Sequence, residues 1–187
     1  MRSLRPEGPR LQRLRLGRML EWDRECAIAL NRSLTSTYER LWVFLDQLGD
    51  SKPWIAFILS IALFGQPEGT KCALHMFVAG GCATLLYKLV KRCIARERPC
   101  ACIQGVRRCV VPLDEFSFPS GHTLHAVAFS VIAAAYFPVL AFALVPFTAL
   151  TAVSRVAVGL HYPSDVLAGA AIGAGVALVS FLFLPAV

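Results

Sequence analysis

Charge is scarce in this chain, and acid is scarcer than base. Charged residues fill 17% of the 187 positions, with 12 Asp and Glu against 19 Lys and Arg, while 56% are hydrophobic. A mean hydropathy of +0.58 implies more apolar surface than a soluble domain of this length can hide, so a membrane protein is expected. No acidic cluster suited to magnesium is visible, and neither a metal nor any other cofactor is implied. No face interleaves aromatic and basic residues, which excludes nucleic acid as a partner. The net charge of +7 suits anionic headgroups or phosphate instead. Residues 1–24 hold seven arginines with no apolar run close behind that would make a cleavable signal peptide. Seven cysteines, an odd number, exclude complete pairing within one chain. Cys72 and Cys82 read as small buried hydrophobes. Cys100, Cys102 and Cys109 share a polar loop where an oxidising space would permit a disulfide, and with His122 they match no familiar zinc spacing.

Residues 1–21 read as a polybasic arm that attracts anionic lipid, because Leu and Arg over 11–20 do not separate onto two helix faces. Residues 22–187 read as a single membrane-embedded domain. From Trp22 to Leu48 apolar residues recur every three or four positions, with Asp23, Arg32, Glu39, Arg40 and Asp46 between them. That is a surface helix too charged to cross a bilayer, with a break expected over 31–36. Apolar runs at 53–65, 71–90, 122–137, 139–158 and 163–184, bounded by Gly and Pro, predict about five transmembrane helices. The first is short for a core of about 30 Å, and Pro146 predicts a kink in the fourth. The expected fold is an all-α polytopic bundle with an N-terminal surface helix. Five crossings place the arm, the loop 91–121 and the connection 159–163 at one membrane face. Gly169 and Gly173 in the last span are expected to serve packing within the chain.

Three stretches at that face carry candidate chemistry. Ser154 to Asp165 places Arg155, His161 and Asp165 where charge is poorly tolerated, and ionisable groups in such places usually serve function. Pro163 can open a helix after an end at Gly159, bringing one carboxylate within reach of one imidazole. An Asp that accepts from one ring nitrogen fixes the tautomer and leaves the other nitrogen free to attack. An arginine that snorkels and a histidine that caps a helix fit the same residues. Lys91 and Arg98, seven apart, would share a face of a continued helix and clamp a phosphate, or serve as ordinary juxtamembrane charge. Arg92, Arg96, Arg107 and Arg108 read as solvated or headgroup-facing. In Phe118-Pro-Ser-Gly-His122, Ser120 is a natural N-cap and Gly121 lets backbone amides approach an anion at a helix N-terminus. His122 could protonate a leaving oxygen there, or the stretch could be a plain cap. His125 reads as helix packing, and Asp114 and Glu115 as loop solvation.

Together the stretches read Lys-x6-Arg-Pro, Pro-Ser-Gly-His and Ser-Arg-x5-His-x3-Asp. They resemble the three-part motif of the type 2 phosphatidic acid phosphatase superfamily at every defining position, within a similarity covering about 53–184. The resemblance implies metal-independent hydrolysis of a lipid phosphate or diphosphate through a phosphohistidine. It assigns His161 as nucleophile, Asp165 as its orienter and His122 as general acid, with Lys91, Arg98, Ser120, Gly121 and Arg155 holding the phosphoryl oxygens. The in-line geometry of phosphoryl transfer independently asks for such a ring of cations and a helix terminus. The short plan looks most like the small bacterial undecaprenyl pyrophosphate phosphatases, with phosphatidic acid and phosphatidylglycerophosphate as other expected substrates. The partners expected are therefore a membrane lipid phosphate and the bilayer, in a bacterial inner membrane. The superfamily is also similar to the vanadium haloperoxidases, but those are soluble. A non-enzymatic lipid-binding or transport protein on the same scaffold is the other alternative.

Overall fold

The structure is a computed structural model that describes residues 8–185, excepting the side chains of 8–19, 35 and 36. Residues 1–7 of the basic arm thus lie outside the described residues. All regular structure among those described is helical: α1 (Gly8–Leu48), α2 (Ser51–Phe64), α3 (Gly69–Ile94), α4 (Pro99–Cys102), α5 (Gly121–Tyr136), α6 (Ala141–Ala157) and α7 (Pro163–Ser180). One 3-10 turn, Pro138–Leu140, leads into α6.

The boundaries follow local chemistry. Asp50 precedes α2 and Gly65 ends it; Pro99 and Pro163 occupy first-turn positions of α4 and α7, where a missing N–H costs no hydrogen bond. α6 is continuous through Pro146, whose missing N–H forfeits one backbone bond of the helix. In α1 the break falls at Tyr38 (φ −122°, ψ 29°), just beyond the expected 31–36. The backbone from Gly8 is helical and runs on into the surface helix, so helical structure reaches further into the basic arm than its sequence pattern predicts.

Among the described residues, three segments are long and apolar enough to cross a membrane: Gly69–Cys102, Pro138–Ala157 and Pro163–Ser180. α2 and α5, with 14 and 16 residues, complete the five apolar helices expected. At about 1.5 Å per residue both fall short of a core of about 30 Å. Leu63, Phe64, Phe77, Phe142, Leu167 and Leu178 are exposed around the outside, as lipid-facing residues should be. Cys82 joins that outer face and is not buried as expected, whereas Cys72 is buried; all seven cysteines are free thiols.

α5 is the central helix, with α3, α6 and α7 packed around it. At one end Trp54 of α2 stacks against Phe129 and Phe147 at 5.1 and 5.5 Å, over a core that includes Met76, Ile132 and Leu144. α7 lies closest to α5 because its contact face is made of Gly169, Gly173 and Ala177. A Cβ on Gly169 or Gly173 would strike the carbonyl oxygen of Ser120 or Leu124. That close approach serves the chemistry as well as the packing, since Ser120 N–H bonds to Asp165 O at 3.0 Å across the same contact. Gly169→Ala and Gly173→Ala are each expected to lower stability by about 1–3 kcal/mol, the usual cost of overpacking. Gly175→Ala, with nothing within 4 Å of the added methyl, should leave stability unchanged or slightly raised, as thermal unfolding in detergent will show.

Candidate active site

The cationic stretches meet where the ends of α3, α5, α6 and α7 come together beneath α1. α3 carries Lys91 in its last turn and stops at Ile94; Ala95 is left-handed (φ 48°) and its N–H bonds to Lys91 O at 2.9 Å. The helical continuation expected from Lys91 to Arg98 is therefore not formed. The chain doubles back, and the two cations meet across Asp114 instead. Lys91 Nζ lies 2.6 Å from both Asp114 oxygens, Arg98 Nη2 donates to Oδ1 at 2.6 Å, and Arg98 Nε donates to Asp114 O at 3.1 Å. Asp114 is thus the shared counterion of two buried cations, not a solvating loop residue.

The turn after α6 delivers the histidine. Gly159 is left-handed (φ 81°), and a Cβ there would strike Arg107 O, so conformation and space both require glycine. Leu160 and His161 then both donate their N–H to Arg155 O, at 3.3 and 3.1 Å. His161 Nε2 lies 3.4 Å from Arg98 Nη1. A guanidinium can only donate, so Nε2 carries the lone pair and the ring proton sits on Nδ1. Nδ1 faces Asp165 Oδ2 at 3.7 Å, aimed as the spacing predicts but too far for a hydrogen bond. The Asp165 carboxylate is engaged elsewhere: Oδ2 accepts from Tyr162 N–H at 2.9 Å and Oδ1 from Arg96 Nη1 at 2.7 Å. Arg96, expected to face solvent or headgroups, is turned inward by the sharp bend at Ala95 and stacks 3.7 Å from the Tyr162 ring centre.

Ser120 occupies the N-cap position of α5, but its Oγ pairs with Thr123 Oγ1 at 3.0 Å and does not cap the helix backbone. A Cβ on Gly121 would meet only the Tyr87 ring, at 3.5 Å, so the space beside this helix start is open. His122 Nε2 donates to Asp50 Oδ1 at 2.7 Å. His125 bonds to Gly121 O and Thr84 Oγ1, the packing role expected of it.

A cavity of about 550 Å³ joins these groups. Lys91, Arg98, Gly121, His122, Arg155 and His161 line one end, and Trp54, Ile55, Ile58, Phe77 and Phe129 line the other. Ser120 and Asp165, both wholly buried, stand behind its wall. Burial, reinforced by the positive charges of Arg155, Arg98 and Lys91, holds the His161 imidazole well below the ordinary histidine range, so the ring is neutral at pH 7. Burial pushes the Asp114 carboxyl up, but the hydrogen bond and charge of Lys91, with Arg98, outweigh it and hold the group low and ionised. The hydrogen bond from His122 does the same for Asp50.

Two carboxylates that the motifs do not contain complete the arrangement. Asp46, near the end of α1, forms an ion pair with Arg155, and Asp50 holds His122. The available signal is electrostatic: buried cations in an apolar chain need counterions. Only Asp165 among the motif residues is acidic.

The PAP2 superfamily is matched over residues 71–187. The chain belongs to that superfamily. Its match to the PAP2 family begins inside α3, leaving α1 and α2 outside. Among relatives, the chain is 30% identical over 148 residues to undecaprenyl-diphosphatase BcrC of Bacillus subtilis (strain 168), covering 79% of this chain and 74% of that protein. It is 38% identical over 100 residues to the lipid A 1-phosphatase of Rhizobium johnstonii, covering 51% of this chain but 41% of that protein. A crystal structure described as the first transmembrane PAP2 type phosphatidylglycerolphosphate phosphatase, from Bacillus subtilis, superposes with a TM-score of 0.72 at 25% identity, covering 88% of this chain and 85% of that one.

Acylation by diethyl pyrocarbonate consumes neutral imidazole, and a depressed pKa keeps His161 neutral as pH falls. Its modification rate, mapped by mass spectrometry, is expected to stay flat from about pH 8 to about pH 6, where an ordinary histidine of pKa about 6.5 loses most of its reactivity. A midpoint near 6.5 would show the ring to be unperturbed.

Proposed function

We propose that this membrane lipid phosphatase works in a bacterial inner membrane on a lipid phosphate or diphosphate of the undecaprenyl pyrophosphate, phosphatidic acid or phosphatidylglycerophosphate type. In this reading a phosphohistidine forms on His161 and no metal takes part. The observation that carries it is the position of His161 Nε2, 3.4 Å from Arg98 Nη1 at a cavity end lined by Lys91, Arg98 and Arg155. The apolar end of the same cavity suits a prenyl or acyl chain, which would leave the headgroup among the cations. The names of the bacterial relatives support the substrate class.

In this reading the phosphoryl oxygens are held by Lys91, Arg98 and Arg155, and by backbone amides at the start of α5 beside Gly121. His161 Nε2 attacks phosphorus and the bond to the leaving oxygen breaks. The electron pair goes to that oxygen, which takes a proton from His122 acting as imidazolium, a charge that the Asp50 carboxylate against Nε2 supports and whose loss leaves the ring neutral. Asp165, behind the ring, faces the Nδ1 proton as His161 becomes positive. In the second step His122 takes a proton from water, the water oxygen bonds to phosphorus, and the nitrogen–phosphorus bond breaks to restore His161. Ser120 contributes by fixing the α5 terminus against α7 through its N–H, while its hydroxyl is paired with Thr123.

Phosphate release by purified protein with excess chelator tests the mechanism, across undecaprenyl pyrophosphate, phosphatidic acid, phosphatidylglycerophosphate and lipid A. Wild type is expected to turn over at least one of these, and His161→Ala to lose about 1000-fold or more in kcat. Full activity in His161→Ala, or loss of wild-type activity with the chelator, would refute the reading. An incoming phosphate competes with Asp114 for Lys91 and Arg98, so Asp114→Asn should lower KM several-fold. A raised KM would show instead that Asp114 helps to hold the substrate.

A further inference from the structure

α1 lies outside the family match, yet one of its faces reaches the heart of the site. Asp23, Ala27 and Asn31, spaced by four, share that face and are 2%, 1% and 0% exposed. Asn31 docks the helix: its amide nitrogen donates to Ala157 O at 2.6 Å and Arg107 O at 3.0 Å, and its amide oxygen accepts from Arg107 N–H at 2.8 Å. Asp23 does something different. It accepts from Ser164 N–H at 2.9 Å, from the Ser164 hydroxyl, and from Arg96 Nη2 at 2.6 Å. The other end of the Arg96 fork, Nη1, donates to Asp165 Oδ1 and Ser164 Oγ, both at 2.7 Å. One guanidinium is thus shared by two buried carboxylates, and the second of them stands behind His161.

The charges decide what this sharing does. Asp165 and Arg96 alone sum to zero and would offer His161 no net negative charge. With Asp23 the group carries one net negative charge in a buried place, where little solvent screens it. We propose that Asp23 is a positioning residue which, through Arg96, keeps Asp165 electrostatically effective as His161 takes on positive charge during phosphoryl transfer. The inference rests on the reading of His161 as nucleophile. It makes α1 part of the catalytic apparatus, although its composition is that of a surface helix.

Asp23→Asn removes the charge and preserves the shape. Its kcat is expected to fall about tenfold or more, with KM within about twofold because Lys91, Arg98 and Arg155 are untouched; Asp23→Glu should recover part of the loss. Arg96→Lys breaks the fork, and adding Asp23→Asn to it should cost little further kcat, since both act through one chain of contacts. Asn31→Ala separates docking from charge: it loosens α1 but leaves the Asp23–Arg96–Asp165 contacts in place. An Asp23→Asn enzyme with unchanged kcat, or an Asn31→Ala enzyme with an equal loss at unchanged KM, overturns the proposal. Acylation of His161 by diethyl pyrocarbonate gives a readout without turnover, and Asp23→Asn is expected to slow it several-fold; an unchanged rate counts against the proposal. If wild type released phosphate from no lipid, the phosphatase mechanism would fail, and the acylation rate would still decide whether Asp23 acts on His161.

Discussion

Positive charge buried at one end of an apolar bundle is the constraint on which this structure depends. Lys91, Arg98 and Arg155 are each at most 6% exposed, and a buried cation without a partner destabilises a protein by several kcal/mol, about 3–5 where one partner is removed. Each therefore meets a carboxylate, and the carboxylates come from separate parts of the chain: Asp114 from the loop after α4, and Asp46 from α1. Arg96, whose side chain is 21% exposed, is held by Asp23 of α1 and Asp165 of α7. Charge neutralisation thus tells the loop and the surface helix where to lie.

The same pairing sets up the chemistry. The cations that bind carboxylates so closely would bind phosphoryl oxygens by the same forces, and burial, reinforced by their field, keeps His161 neutral with Nε2 toward Arg98. Close packing supplies the precision. Gly169 and Gly173 let α7 approach α5 until Ser120 N–H meets Asp165 O, tying the start of α5 to the carboxylate behind the histidine. Gly159 allows the sharp turn that sets His161 against Arg155. A site assembled from five helix ends needs backbone contacts of this kind, because no one element carries more than a few of its groups.

Several readings made from the residues alone stand corrected, and for related reasons. Ala95 is a good helix former, so nothing in its identity announces a left-handed stop, and extending α3 through Arg98 was the natural expectation. Once the chain bends there, Arg96 is carried inward, away from the solvated face that helical continuation would have provided. Asp114 sits in a polar loop among exposed neighbours, and its pairing with two cations depends on where that loop folds. Asp23 and Asp46 occupy positions of an amphipathic pattern where charge ordinarily faces water, yet both are buried.

By itself the sequence determined the class of molecule, the approximate limits of its apolar helices and the identity of the cavity-lining cations and histidines. Those features are written locally: hydropathy selects the membrane, Pro and Gly end the helices, and each motif keeps its residues within a few turns of one another. The tertiary structure alone decided which carboxylates neutralise those cations, that Lys91 and Arg98 meet across Asp114, and that Asp23 reaches Asp165 through Arg96. Those pairs join residues up to 109 positions apart, as in Arg155 with Asp46, and a charge in sequence carries no record of the partner that folding will bring to it.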